Sequence, residues 1–256
     1  MSTEKATALV LRLVDFSETS VVATLFTREF GKVTALAKGA RRPKGPFEAA
    51  LDLLAECRIV FIHKPGETLD LLTEARLERR FKSSRTDVAR LYAGYYVAEL
   101  LREMTEEADP HPNLFDFAQA TLGRIDDGAD LFTLILQFEL KTLLEFGRSP
   151  ALTHCVDCGK RLDTRQGASF AVTAGGVLCE RHRGGKRQVV RLSAEAIGIL
   201  AEQARRVEGA NSDSPKEPKP IQTARRGELR AVMNRFLASL LRKQLRMTRY
   251  MTFPLV

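Results

Sequence analysis

The chain lacks the short motifs by which nucleotide-hydrolysing and hydrolytic enzymes are usually recognised. No G-x-G-x-x-G, H-E-x-x-H or G-x-S-x-G occurs in its 256 residues. Gly31-Lys32, Gly159-Lys160 and Gly185-Lys186 each lack the earlier glycine and the following Ser/Thr of a phosphate-binding loop. The zinc deaminase pattern fails as well, because His63-Lys64-Pro65 and His111-Pro112-Asn113 offer no H-x-E. Glu99, Glu103, Glu106 and Glu107 read as helix-surface acids rather than a catalytic pair. No catalytic constellation remains, and the expectation is that the chain is not an enzyme.

Long apolar runs are missing too, and none approaches the length of a transmembrane helix. The opening Met1-Ser-Thr-Glu-Lys-Ala-Thr7 is polar and charged, unlike a secretory signal. A cytoplasmic, nucleoid-associated location is therefore expected, with no membrane partner and with thiols kept reduced.

Cysteine is scarce: the chain has four, and three fall in one stretch. Cys155, Cys158, Cys179 and His182 form C-x2-C-x20-C-x2-H, two knuckles that can offer four ligands to one tetrahedral Zn²⁺. Gly159 directly after the first pair lets the knuckle turn tightly. A redox C-x-x-C would need a thioredoxin-like βαβ setting, whereas residues 148–187 are turn-rich and polar. Disulfides would need an oxidising compartment. Four protein ligands leave no open position for water, so the expected zinc is structural. His154 abuts Cys155 and could compete for the metal, although the C-x2-H symmetry favours His182. Cys57 lies far away in a strand-like run and reads as a small buried hydrophobe.

Residues 5–80 carry five strand-like segments without intervening helices: 6–15, 21–27, 32–38, 51–63 and 68–76. This pattern suits a small barrel or sandwich. From Ser83 to Gly147 the apolar period becomes helical. A first helix is expected to be capped by Ser84 or Thr86, and a second carries Leu114, Phe117, Ala118, Leu122 and Ile125. The third, 131–146, is apolar on most faces, as in a buried helix. Ser193 is expected to cap a further helix bearing Ile197, Leu200, Ala201 and Ala204. Residues 208–222, rich in Pro, Ser and charge, read as a mobile loop. A last helix is expected over 223–248, burying Leu229, Val232, Met233, Phe236, Leu237 and Leu240. Helices on both sides of the zinc segment would then pack together, making zinc an insertion in a helical domain.

The net charge is +8 and the pI near 9.5, which favours polyanionic partners. Two clusters concentrate that charge. Lys38, Arg41, Arg42 and Lys44 share a Gly/Pro-rich loop between the third and fourth strands, where they could follow a phosphate backbone. Phe16, Phe26, Phe30 and Phe47 in the same region could stack on bases, but a core role is the preferred reading of each. On the last helix, Arg235, Arg242, Arg246 and Arg249 fall on the face opposite the apolar stripe. Glu228 is the only acid after Thr223.

This order of parts resembles the RecO family of bacterial recombination-mediator and DNA-repair proteins. The residues that carry the likeness are Val14-Asp-Phe-Ser-Glu-Thr-Ser20, Phe30-Gly-Lys-Val-Thr34, Lys38-Gly-Ala-Arg-Arg42 and the helix from Glu139 to Gly147 running into Cys155-x-x-Cys158-Gly159. The resemblance implies an α+β multidomain fold: an N-terminal OB-fold β-barrel over 1–81 and a helical domain over 82–150 and 188–256. A zinc module over 151–187 would interrupt that domain. It further implies binding of single- and double-stranded DNA and annealing of complementary strands without ATP. The implied partners are RecR and often RecF, with RecA loaded onto DNA coated by single-strand-binding protein. Many members end the metal motif with a fourth cysteine where this chain has His182. The competing reading is a non-catalytic scaffold whose basic face grips acidic protein tails.

Overall fold

The computed structural model describes residues 2–42, 45, 47, 50–64, 66, 68–83, 87–209 and 220–251. By backbone proximity the chain divides into two compact units, Met1–Ala129 and Asp130–Val256. The 208–222 loop reading falls largely outside the described residues, as do Lys44, Ser84 and Thr86.

In the first unit five strands close a barrel in the order β1-β2-β3-β5-β4, the OB-fold arrangement. Closure depends on the length of β1 (Ser2–Asp15). Its first half pairs with β4 (Glu56–His63) and its second half with β2 (Val21–Thr27), with a register shift between Val10 and Arg12. β3 (Gly31–Ala37) runs antiparallel to β2 and meets β5 (Asp70–Arg79) in parallel only at Ala35–Ala37. The in–out alternation of β3 and of the first half of β2 explains the packing; at its end Leu25, Phe26 and Thr27 are all buried. Ala23, Leu25, Val33, Ala35 and Ala37 point inward to meet Cys57, Ile59, Phe61 and Leu72. Cys57 is fully buried, its Sγ 3.0 Å from the Ala50 carbonyl. Burial, reinforced by Glu56 and Glu78, pushes its thiol up to about 12.

Helices α1 (Val88–Met104) and α2 (Pro112–Asp126) pack on this barrel. The cap of α1 is Asp87, not Ser84 or Thr86: its carboxylate accepts from the Ala89 and Arg90 N–H groups. Arg28 forks onto Asp116 of α2 at 2.8 and 3.0 Å, and Phe26 meets Phe115 at 5.8 Å. Residues after α1 lie along the open edge of β3. Lys32 N–H donates to Glu106 O, Lys32 Nζ to the carbonyls of Arg102 and Thr105, and Thr34 Oγ1 to Glu107. The ammonium therefore sits at the negative end of the α1 dipole.

The second unit centres on α3 (Leu131–Glu145), buried from Phe132 through Leu143 as its all-round apolar sequence requires. Around it lie α5 (Ala194–Glu208) and α6 (Thr223–Leu241). Asp130 caps α3 and takes Arg226 at 2.7 Å, Arg230 reaches the buried Glu139, and Gln137 meets Gln203 at 2.7 Å. Ser193 caps α5 as expected, and its own N–H and hydroxyl donate to Glu228 of α6. The acid on α6 is therefore committed to packing. The last helix is shorter than expected: it ends at Leu241, Arg242 turns left-handed (φ 54°), and a separate 3₁₀ turn covers Arg246–Tyr250. Leu240 is half-buried rather than buried.

Candidate metal centre and nucleic-acid interface

Between α3 and α5 the chain builds a three-stranded sheet, β7-β6-β8, from Gly176–Leu178, Ala168–Ala171 and Val189–Leu192. Sequence reasoning missed it, since strands of three or four residues carry almost no periodic signal. Phe170 of β6 meets Phe236 of α6 edge-on at 5.7 Å. Two knuckles hang from this sheet. In the first, Gly159 N–H closes on Cys155 O and Cys155 N–H on Lys160 O, both at 2.8 Å, with Gly159 at φ 69°. In the second, Cys179 caps the four-residue α4 (Glu180–Arg183), and His182 N–H donates to Cys179 O at 3.0 Å.

These turns bring the four donors together. The ligand atoms of Cys155, Cys158, Cys179 and His182 all lie within 4.8 Å of one another. Cys155 Sγ to His182 Nδ1 and Cys158 Sγ to Cys179 Sγ are each 3.9 Å, and Cys179 Sγ to His182 Nδ1 is 3.1 Å. A tetrahedral zinc with Zn–S about 2.3 Å sets sulfurs roughly 3.8 Å apart, so the cluster could hold a metal ion of that kind. His154 stands outside it, exposed, with Nδ1 2.8 Å from Thr153 Oγ1. Burial works against a charged Cys155, yet backbone N–H groups of Cys179, Cys158 and Asp157 outweigh it and bring that thiol down to about 6. Cys158 moves the other way: the Lys160 N–H lowers it, but desolvation and the neighbouring thiols prevail. A dication held there would supply positive charge that favours thiolate ligands.

The two basic clusters are placed differently. At the barrel, Lys38, Arg41 and Arg42 are exposed on a turn after β3, with Gly39 at φ 71° and Arg42 N–H bonded to Gly39 O. Arg41 also ties this turn to the β1–β2 loop: its N–H donates to Thr19 O at 3.1 Å, and its guanidinium pairs with Asp15. In the second unit Arg235 lies on α6, Arg242 at its left-handed cap, and Arg246 and Arg249 in the 3₁₀ turn. All four are exposed, but they do not form one helical stripe. The expected spacing of seven, four and three presumed a continuous helix, and the turn at Arg242 breaks it. Three of the four phenylalanines serve the core as read: Phe26 and Phe47 are buried, and Phe30 packs edge-on against Phe61. Phe16 does not, being 61% exposed.

Among the described residues no helix is long and apolar enough to cross a membrane. A family model described as Recombination protein O N terminal matches residues 1–81, and one described as Recombination protein O C terminal matches 85–248. The chain is 43% identical to "DNA repair protein RecO" of Rhodopirellula baltica, an alignment covering 94% of this chain and 96% of the relative. It is 34% identical to the protein of that name in Anaeromyxobacter dehalogenans strain 2CP-C, covering 98% and 96%, and 32% identical to that of Myxococcus xanthus, covering 95% of each. Barrel, helices, thiol cluster and full-length similarity agree, and the chain belongs to the RecO family of DNA repair proteins.

Proposed function

We propose that this chain binds single- and double-stranded DNA and anneals complementary strands without nucleotide hydrolysis. With RecR, and in some settings RecF, it helps load RecA onto DNA coated by single-strand-binding protein. The observation that carries this reading is the exposed Lys38–Arg42 turn on an OB barrel in a chain similar to DNA repair proteins along nearly its whole length. Annealing needs two polyanions brought together. Fixed cations on a curved surface lower their repulsion, and no bond need be made or broken by the protein. The role is therefore non-enzymatic and belongs to the cytoplasm, at the nucleoid.

Zinc held by Cys155, Cys158, Cys179 and His182 is structural in this reading. It fixes two knuckles whose own buried cluster is Cys155, Ala171 and Leu178, with a few half-buried side chains around them. In sequence the proposed module (151–187) separates the stretches 82–150 and 188–256, the second opening with β8 of that sheet. A second reading, an adaptor gripping acidic protein tails, is favoured by exposed Arg235, Arg242, Arg246 and Arg249, the last lying over the ring of the 45%-exposed Tyr250 at 5.7 Å.

A strand-annealing assay with complementary oligonucleotides, bare and coated with single-strand-binding protein and without nucleotide, tests the proposal. Faster annealing in both cases is expected. Binding without annealing would favour the adaptor, and altered or cut strands would overturn the non-enzymatic assignment.

A further inference from the structure

The inward rows of the barrel change character at one end. On β1, Ala6, Ala8 and Val10 face the core, and the same phase places Glu4 inward near the start of the strand. On β4 the row Cys57–Ile59–Phe61 continues to His63, and on β5 Asp70 shares the phase of Leu72. The register brings these positions to one mouth: Glu4 lies opposite Phe61, and Phe61 opposite Leu72. Where β4 begins, the β3–β4 connection instead packs Phe47, Ala50 and Leu51 into the core, with Ala50 O against Cys57 Sγ. Among the described residues no apolar connection fills the Glu4 end in that way. A cavity of about 430 Å³ opens there.

Its floor is apolar. Phe61, only 2% exposed, and half-buried Phe30 meet edge to face at 5.5 Å, with Val33 beside them. Carboxylates stand around that floor. Asp70 Oδ1 lies 3.1 Å from His63 Nδ1 and accepts from Lys64 N–H at 3.0 Å. Glu29 Oε2 accepts from Thr7 N–H, and Glu107 Oε1 from Thr34 Oγ1, both at 2.9 Å. Each of these acids is fixed through one oxygen, and its second oxygen takes none of these bonds. With Glu4, the lining sets four carboxylates against one ammonium, and that ammonium, Lys32, is held by the carbonyls of Arg102 and Thr105. Ala108 and Pro110 of the segment after α1 complete the wall.

Size, floor and charge together choose the ligand. A cavity of this volume in a barrel mouth suits one small molecule, and walls drawn from four strands and the 107–110 segment suit a compact one better than a chain passing through. Four carboxylates repel phosphate, so the cup is separate from the DNA-binding reading and does not rest on it. We infer that this cup binds a small organic cation with an apolar body. The body covers Phe30 and Phe61, and the ammonium turns to the carboxylates of Glu4, Glu29, Asp70 and Glu107, where hydrogen bonds are charge-assisted.

The probe is 2-phenylethylammonium, titrated into the full chain by calorimetry and saturation-transfer NMR. Its neutral and anionic counterparts are 2-phenylethanol and 3-phenylpropionate. The ammonium should bind with a Kd of about 1 mM or lower, at least about 10-fold tighter than the alcohol, and the carboxylate should not bind. Glu4→Gln should weaken the ammonium by about 3- to 10-fold. Thr68→Arg, which brings a competing guanidinium to the exposed rim of the cup, should weaken it by at least about 10-fold. Glu18→Gln, in the exposed β1–β2 loop outside the cup, should leave binding unchanged, and so should oligonucleotide affinity in the Glu4→Gln chain. The unfolding midpoint of each variant, measured alongside, separates loss of the site from loss of the fold. Equal affinity for the alcohol, no ammonium binding up to about 10 mM, or unaltered binding by folded Glu4→Gln and Thr68→Arg chains would overturn the inference and leave the DNA-binding reading standing.

Discussion

Gly31 shows how much one residue can decide. It opens β3 at φ 70°, and a Cβ built there would lie 2.2 Å from the carbonyl oxygen of Asp109 and 2.5 Å from its carbon. Both objections are to backbone, which cannot rotate aside as a side chain can. The segment it accommodates bonds to Lys32 and Thr34 and covers the β3 edge that β5 leaves unpaired. Gly31→Ala is therefore expected to destabilise the chain by about 2–4 kcal/mol, combining left-handed strain with displacement of that segment. Urea unfolding checks it, and a change within about 0.5 kcal/mol would mean the segment moves away freely. Phe16 teaches the reverse lesson about single residues. By type it reads as core, and only the hydrogen-bonded loop around it reveals that the ring stands in solvent.

At the scale of elements, the two knuckles have little local core of their own. The buried cluster behind them amounts to Cys155, Ala171 and Leu178, and α4 is one turn long. Metal ligation would supply the missing free energy, on the order of 10 kcal/mol or more in isolated zinc fingers. Cys158→Ser, at the exposed ligand, is expected to lose bound zinc by atomic absorption and to lower the thermal midpoint by at least about 5 °C. Full zinc stoichiometry in that variant would remove Cys158 from the ligand set. The four candidate ligands are legible in the sequence because their spacing within each knuckle is local. The barrel strands are legible because one buried face imposes period two along β3 and the first half of β2. Two elements are not. The β6–β8 strands are too short to show alternation, and their pairing joins residues about 20 apart. The end of α6 is hidden because Arg242-Lys-Gln-Leu245 contains only good helix formers. The stop comes from a left-handed arginine, without the glycine that usually marks such a cap.

For the whole molecule, the proposed DNA binding raises the question of which part of a charge of +8 would meet phosphate. Many arginines are already committed to structure. Arg28 holds Asp116, Arg90 covers the carbonyls at the end of α2, and Arg226 and Arg230 tie α6 to α3. The Asp116 contact holds Arg28 more firmly charged than usual, a sign of a satisfied pair rather than a cation awaiting phosphate. Total charge is therefore a poor guide, and the exposed Lys38, Arg41 and Arg42 can be tested as a set. Each phosphate contact on a single strand adds about 0.7 to the magnitude of the slope of log K against log[salt]. Replacing all three with Gln should reduce that magnitude by about 2 and weaken binding most at low salt. Stability should change little, because the surface pair of Arg41 with Asp15 contributes less than about 1 kcal/mol. An unchanged slope would move the principal phosphate track off this turn. Repeating the titration after neutralising Arg235, Arg242, Arg246 and Arg249 then decides whether the second unit carries it. A slope altered only by that second set would assign the DNA to the helical unit and leave the barrel turn to another acidic partner.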